Sequence, residues 1–265
     1  TRSQRSSWVE QQLIYEQVAL KLDFTHVLVE GRYATSTASR REPDRREWSY
    51  NRTEDGGYVL SQRGSWNDIQ YLSLDDNLQD GGLDLSVPFR LFNQAAKAKV
   101  GGLRSSRGRE SATRRFSYGF RGTEGIDLAA PIEDVIVDEN IGGEGDEDLG
   151  YLQLEENTIN SDDYSAGQQI YAAYALADAG FTPRLRAVGG VRVERSEQAV
   201  TTFEQFDTDR DPVVADLGST DWLPGATATY AVGPATDPQA MLVRVGYGRT
   251  LSRPEFRELT EVQYY

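Results

Sequence analysis

The sequence predicts an all-β chain whose antiparallel strands run up and down as the wall of a transmembrane β-barrel. Three observations point there. Apolar and polar residues alternate with period two in eight stretches. The connections between those stretches are alternately short and long. Aromatic residues (Phe24, Phe89, Tyr164, Phe203, Trp222, Tyr230, Tyr247) gather near the stripe ends, where girdles of a membrane barrel would lie. There is little sign of the 3.6-residue period of a long amphipathic helix.

The first stripe sets Val18, Leu20, Leu22 and Phe24 against Ala19, Lys21 and Asp23. The second sets Val27, Val29, Gly31 and Tyr33 against Leu28, Glu30 and Arg32. Leu83, Leu85, Val87 and Phe89 alternate with Asp84, Ser86 and Pro88, and Ala96, Ala98 and Val100 with Lys97 and Lys99. Tyr164, Ala166, Gln168, Ile170, Ala172, Tyr174 and Leu176 make a fifth stripe. In the sixth, Leu185, Ala187, Gly189, Val191 and Val193 oppose Arg186, Val188, Arg192 and Glu194. Trp222, Pro224, Ala226, Ala228 and Tyr230 form the seventh, and Val243, Val245 and Tyr247, against Arg244, form the eighth. Asp23–His26, Arg90–Ala95, Ala177–Pro183 and Gly233–Pro238 are short connections, read as periplasmic turns. Thr35–Asp80, Ser105–Asp163, Glu197–Asp221 and the part after Leu251 are long and polar, read as extracellular loops whose inner parts continue the strands. The alternation by itself also fits a soluble β-sandwich with its apolar face inward.

Composition narrows the chemistry. The 265 residues include no Cys, one His (His26) and one Met. Disulfides, thiolate metal sites and cysteine nucleophiles are therefore excluded. No run approaches the 18 apolar residues of a membrane helix, which leaves strands as the only way to cross a bilayer. The chain starts at Thr1 with no charged-then-apolar leader, so any secretory signal is expected to have been removed or to lie upstream. The net charge is −14. Between Gly119 and Asp163 fourteen carboxylates face the single cation Arg121, so this segment carries nearly all of the imbalance. No nucleic-acid partner is expected, because phosphate recognition needs a basic face.

Four stretches carry a family resemblance. "RREPDRREWSY" (Arg40–Tyr50) resembles the Arg-x-Glu-Pro-Asp-x-Arg segment of TonB-dependent outer-membrane receptors. "DYSAGQQIYAAYAL" (Asp163–Leu176) followed by "LRAVGGVRVERSE" (Leu185–Glu197) resembles their hairpin ending in Gly-Val-Arg-Val-Glu. "DWLPGATATYAV" (Asp221–Val232) and "RVGYGRTLSRPEFREL" (Arg244–Leu259) resemble two later strands, in the family's order. The resemblance implies a barrel of 22 strands, of which residues 1–265 would supply about eight, an interior piece without plug domain or closing C-terminal strands. It implies an outer-membrane location in a Gram-negative bacterium, and energised uptake of a scarce solute: a ferric siderophore, a cobalamin or a saccharide. TonB would be engaged through the missing plug. Outer-membrane lipid or lipopolysaccharide and an extracellular small molecule or metal chelate would be the other partners. An open antiparallel sheet with two free edges is expected of this piece alone.

Candidate contact residues follow from the faces. Lys21, Glu30, Arg32, Lys97, Lys99, Arg186, Arg192, Glu194 and Arg244 would point into the lumen, and Arg253 and Glu255 would stand in solvated chain above the outer leaflet. Arginine matches carboxylate geometry, so Arg186, Arg192, Glu194, Arg244, Arg253 and Glu255 are the substrate-binding candidates. Salt bridges within the wall or to a plug are the plainer role for each. "DENIGGEGDEDLGYLQLEEN" (Asp138–Asn157) has oxygen ligands for Ca²⁺ but not the EF-hand spacing, and is read as a solvated loop. No cofactor and no metal site are expected. No Gly-x-Ser-x-Gly elbow or phosphate-binding loop is present, so no enzyme is expected. The alternatives are a β-sandwich adhesion module with a Ca²⁺-binding acidic loop, and a small passive porin.

Overall fold

A computed structural model describes residues 1–63, 67–142, 150–159, 162–203, 212–233 and 241–260. In chain order the elements are β1 (Arg2–Ser7), β2 (Glu10–Phe24), β3 (Val27–Arg52), β4 (Tyr58–Leu60), β5 (Asp68–Leu91), β6 (Gln94–Arg121), α1 (Ile132–Val135), β7 (Tyr151–Glu156), β8 (Tyr164–Gly180), β9 (Leu185–Thr202), β10 (Val213–Val232), β11 (Met241–Gly248) and α2 (Phe256–Leu259). All eleven strands belong to one antiparallel sheet. Its order is β3-β5-β6-β8-β9-β10-β11, with β1 and β2 both lying along β3 as one interrupted strand. Short β4 pairs with β3 and short β7 with β6. Eight long strands therefore make the wall, and among the described residues β2 and β11 are its unpaired edges. No second sheet packs on it among the described residues, which sets the sandwich reading aside.

The turns explain the hairpins. Thr25 and His26 alone join β2 to β3. Phe92 and Asn93, both at positive φ (50° and 59°), join β5 to β6, the left-handed pair that matches the twist of a two-residue hairpin. At the other end the strands run on well past the apolar stripes. β3, β5 and β6 have 26, 24 and 28 residues, where about 10 cross a bilayer. Much of what reads as loop at 35–52, 68–80 and 105–121 is strand, largely polar, with Trp48, Ile69, Tyr71, Phe116 and Tyr118 gathered toward its far end. Pairing along β3 skips between Glu42 and Arg45. Pro43, lacking a donor, occupies this bulge.

Cross-strand partners share a face, so the register sorts every side chain. Lys21, Glu30, Arg32, Lys97, Lys99, Arg186, Arg192, Glu194 and Arg244 all fall on one face. Leu20, Leu83, Val100, Val191, Trp222 and Val245 fall on the other. The β8 stripe is the exception. Tyr174 pairs with Arg192 and Ala172 with Glu194, so Tyr164–Leu176 lines the polar face, and Ala173, Ala175 and Ala177 face out. Alanine on both sides of β8 makes its two stripes equally apolar by sequence. Val245 on the apolar face is 70% exposed. Leaving such a residue in water forfeits about 1.5–3 kcal/mol, and a continuous sheet face of them calls for lipid.

Buried clusters are small and sit beyond the apolar band. Trp48, Leu60, Val135 and Leu152 pack together under Tyr118 and Ile132. Residues 122–142 thus form a cap on the extended ends of β3 and β6. The expected solvated loop at Asp138–Asn157 is in part this packed cap: Leu152 is fully buried and Tyr151–Glu156 is strand β7 on β6. Apolar residues at Ile132, Val135, Ile136 and Leu152 drive the packing, hidden in the sequence by the surrounding carboxylates. Arg114 donates to both oxygens of Glu156 (3.1 and 2.9 Å). That bond, with help from the Thr158 hydroxyl, holds the Glu156 carboxyl below its ordinary range. Residues 143–149 of the acidic stretch lie outside the described residues. Among the described residues no three His, Cys, Asp or Glu side chains are grouped to hold a metal.

Candidate functional site

The chain leaves the sheet at Gly248, and the Arg249 amide still donates to Pro224 O (3.0 Å). The segment was expected to rise into water; it folds back onto the polar face instead. Arg253 donates to Glu194 Oε2 at 2.7 Å, and its side chain is only 19% exposed. Gln168 donates to Gln198, and Gln198 donates to Pro254 O at 3.1 Å. Phe256 is 2% exposed, packed with Tyr164, Ala166 and Val200. The reason is physical. Pro254 cannot continue a ladder, and Phe256 and Leu259 are too apolar to stay in water when a groove lined by Tyr164 and Val200 lies within reach.

Two guanidiniums cover the ring of Phe256. The Cζ atoms of Arg107 and Arg109 stand 5.3 and 5.5 Å from its centroid. Asp76 holds both: Arg107 reaches it through Nε and Nη2 (3.0 and 2.8 Å), Arg109 through Nε (2.6 Å). Glu255 completes the cluster loosely, at 3.8 Å from Arg107 and 4.0 Å from Arg109, with its side chain 64% exposed. Beside it, Glu194 accepts from Arg192 (2.5 Å) as well as from Arg253. Four arginines thus meet three carboxylates on one patch, and the carboxylate most open to water is the most weakly held.

The six candidates do not form one site. Arg192, Glu194, Arg253 and Glu255 come together around the folded-back segment. Arg186 and Arg244 lie near the short-turn end, where Arg186 pairs with Asp178 (2.7 Å) and Arg244 donates to Thr229 (3.2 Å). Arg186 and Arg192 are six residues apart on one strand, roughly 20 Å. Arg107, Arg109, Asp76 and Phe256 were missed. The alternation of Arg107 and Arg109 was the available signal, obscured because that stretch reads as the start of a loop.

A second polar cluster lies lower on the same face. Tyr174 donates to Asp84 (2.5 Å), and Lys99 Nζ lies 3.1 Å from Asp84 and 3.8 Å from Glu30. Gly101 opposes both Asp84 and Tyr174 in the sheet, and its missing side chain is what lets Tyr174 cross to Asp84.

A single sheet with one lipid-type face, one charged face, tight turns at one end and long strand extensions at the other is the wall of an outer-membrane-type β-barrel. The family model described as TonB dependent receptor-like, beta-barrel, matches residues 12–264, and the chain belongs to that family. TonB-dependent receptors are outer-membrane proteins of Gram-negative bacteria. Among solved structures the chain is similar to the siderophore receptor PiuA from Acinetobacter baumannii (12% identity, TM-score 0.52, covering 85% of this chain and 31% of that one). It is also similar to the ferric-catecholate import receptor Fiu from E. coli K12 in its open form (12% identity, TM-score 0.54, covering 92% and 36%). At that identity the likeness is one of fold, and the chain spans about a third of either receptor's length. No curated protein matches the chain.

Proposed function

We propose that this chain is the barrel part of an outer-membrane receptor that takes up a scarce solute, with an anionic metal chelate of the siderophore kind as its ligand class. Residues 1–265 then supply wall, lumen contacts and extracellular cap. A plug domain elsewhere in the receptor engages TonB. The observation that carries the ligand class is the Arg107–Arg109–Glu255 contact. Glu255 is a loosely held carboxylate over two guanidiniums already oriented by Asp76. A carboxylate or catecholate of a ligand matches the same fork geometry and replaces Glu255 there. The likeness to two siderophore receptors supports the same class.

The test is ligand binding by the full-length receptor, using a ferric tris-catecholate and a ferric carboxylate chelate as probes, with a neutral saccharide as the contrast. R107Q/R109Q is expected to weaken binding of the anionic probes about tenfold or more, the worth of one charge-assisted contact. Unchanged anionic-chelate binding, or a preference for the saccharide, overturns the ligand class.

A further inference from the structure

Each guanidinium over Phe256 has one nitrogen that is not given to Asp76. Arg107 and Arg109 both spend Nε and Nη2 on that carboxylate. Their Nη1 atoms face a single oxygen, Glu255 Oε2, at 3.8 and 4.0 Å. Those distances are beyond hydrogen-bond reach. The chain on either side explains why the carboxylate stops short. Pro254 O accepts from Gln198, and Phe256 is buried, so Glu255 is tethered between two fixed neighbours. The two carboxylates also differ in access to water: the Glu255 side chain is 64% exposed and that of Asp76 12%. Two arginines and Asp76 leave one positive charge, and Glu255 cancels it.

We propose that Glu255 is a tethered competitor that sets which anions the receptor accepts, admitting chelates with several anionic oxygens and turning away small monocarboxylates. This role rests on Arg107 and Arg109 being the ligand site. The tether keeps one carboxylate always at hand. A free monocarboxylate that displaces it exchanges one charge for one charge, and loses its own freedom of movement besides. A ferric chelate presents several anionic oxygens on one rigid frame. It can meet both Nη1 atoms at hydrogen-bond distance, which Glu255 does not, and such charge-assisted bonds are roughly twice as strong as neutral ones. Glu255 then swings into the water that its side chain already meets, while Phe256 and Arg253 keep the segment docked.

Binding of a ferric tris-catecholate to the full-length receptor is measured with and without acetate as a competing monocarboxylate. E255Q is expected to bind the chelate about two- to tenfold tighter than wild type, the worth of two exposed ion pairs. Acetate is expected to inhibit E255Q at several-fold lower concentration than it inhibits wild type. E258Q removes the same charge from the same segment, where Glu258 pairs with neither arginine, and is expected to bind as wild type. R107Q/R109Q/E255Q is expected to bind no tighter than R107Q/R109Q, because the gain needs the arginines. Amide exchange of residues 249–260 in E255Q is expected to match wild type; a gain in binding that comes with lost protection there assigns the effect to release of the segment and overturns the competitor. E255Q that binds as wild type or more weakly, or with unchanged sensitivity to acetate, while R107Q/R109Q is weakened, also overturns the competitor and leaves the ligand site standing. R107Q/R109Q that binds as wild type overturns the ligand site itself, and the role of Glu255 with it.

Discussion

Phe256 lies under Arg107, its ring centroid 5.3 Å from the guanidinium carbon, although the two residues are 149 positions apart. That contact fixes the folded-back segment to the wall. It joins Arg253-Pro254-Glu255-Phe256, part of the run after Gly248 that the strand pattern does not explain, to the basic patch of β6.

Removing the ring tests the contact. Burial of one phenylalanine is worth about 1.5–3 kcal/mol. F256A is therefore expected to raise amide exchange in residues 249–260 by roughly ten- to a hundredfold in the full-length receptor. Exchange in β9 itself, held by its ladders to β8 and β10, should stay as it is. Unchanged protection would mean that the segment is held by something other than Phe256.

Glu194 and Arg253 are not equivalent partners. R253Q leaves Glu194 still bonded to Arg192. E194Q leaves two guanidiniums facing each other in a half-buried site. E194Q is thus expected to loosen the segment more, by about 1–3 kcal/mol against about 1 for R253Q. A double-mutant cycle on the exchange data measures the coupling. Equal effects of the two single variants would contradict the shared-acceptor arrangement.

Gly101 and Gly108 should respond oppositely to alanine. A Cβ on Gly101 would lie 2.6 Å from the Tyr174 ring and 2.9 Å from the Leu83 carbonyl, whereas at Gly108 nothing comes within 4 Å. G101A is expected to cost about 1–3 kcal/mol through overpacking and loss of the Tyr174–Asp84 bond. G108A should be neutral or slightly stabilising. The readout is the denaturant midpoint of the refolded receptor.

The β6–β7 clamp sets an acid limit on the cap. The Glu156 carboxyl sits below its ordinary value of 4.5, chiefly through Arg114. Its contribution is therefore complete above pH 4.5 and is lost as the pH falls through the lowered value. Protection factors of residues 151–156 should fall on acidification from pH 6 to pH 3. In E156Q they should already be reduced at pH 6, with no further loss from this group. A wild-type cap indifferent to pH over that window contradicts the clamp.

The wall was legible because a period of two survives in seven of its eight stripes without help from tertiary context. Val243, Val245 and Tyr247 against Arg244 needed no other information. β8 was not legible in the same way, since alanine on both faces carries no sign of which side is wet. The cap was masked by its own charge: Val135 and Leu152 are buried among Glu133, Asp134 and Glu155. The docking of Arg253 and Phe256 was out of reach for another reason. It depends on which strands lie across from β9, and pattern within one strand does not encode that. Nor did spacing bring Arg107 and Arg109 to Glu255, since their meeting depends on a reversal of the chain after Gly248.

The most direct test exploits the absence of cysteine from residues 1–265, with any cysteine elsewhere in the receptor first replaced by serine. Single cysteines at Val243, Arg244, Val245, Gly246, Tyr247 and Gly248, each spin-labelled in the full-length receptor in bilayers, report collisions with oxygen and with a water-soluble nickel chelate. The account predicts strict alternation, with V243C, V245C and Y247C favouring oxygen and R244C, G246C and G248C favouring or neutral to the chelate. A flat profile, or one with the odd positions in water, would contradict a lipid-facing wall and the receptor reading built on it.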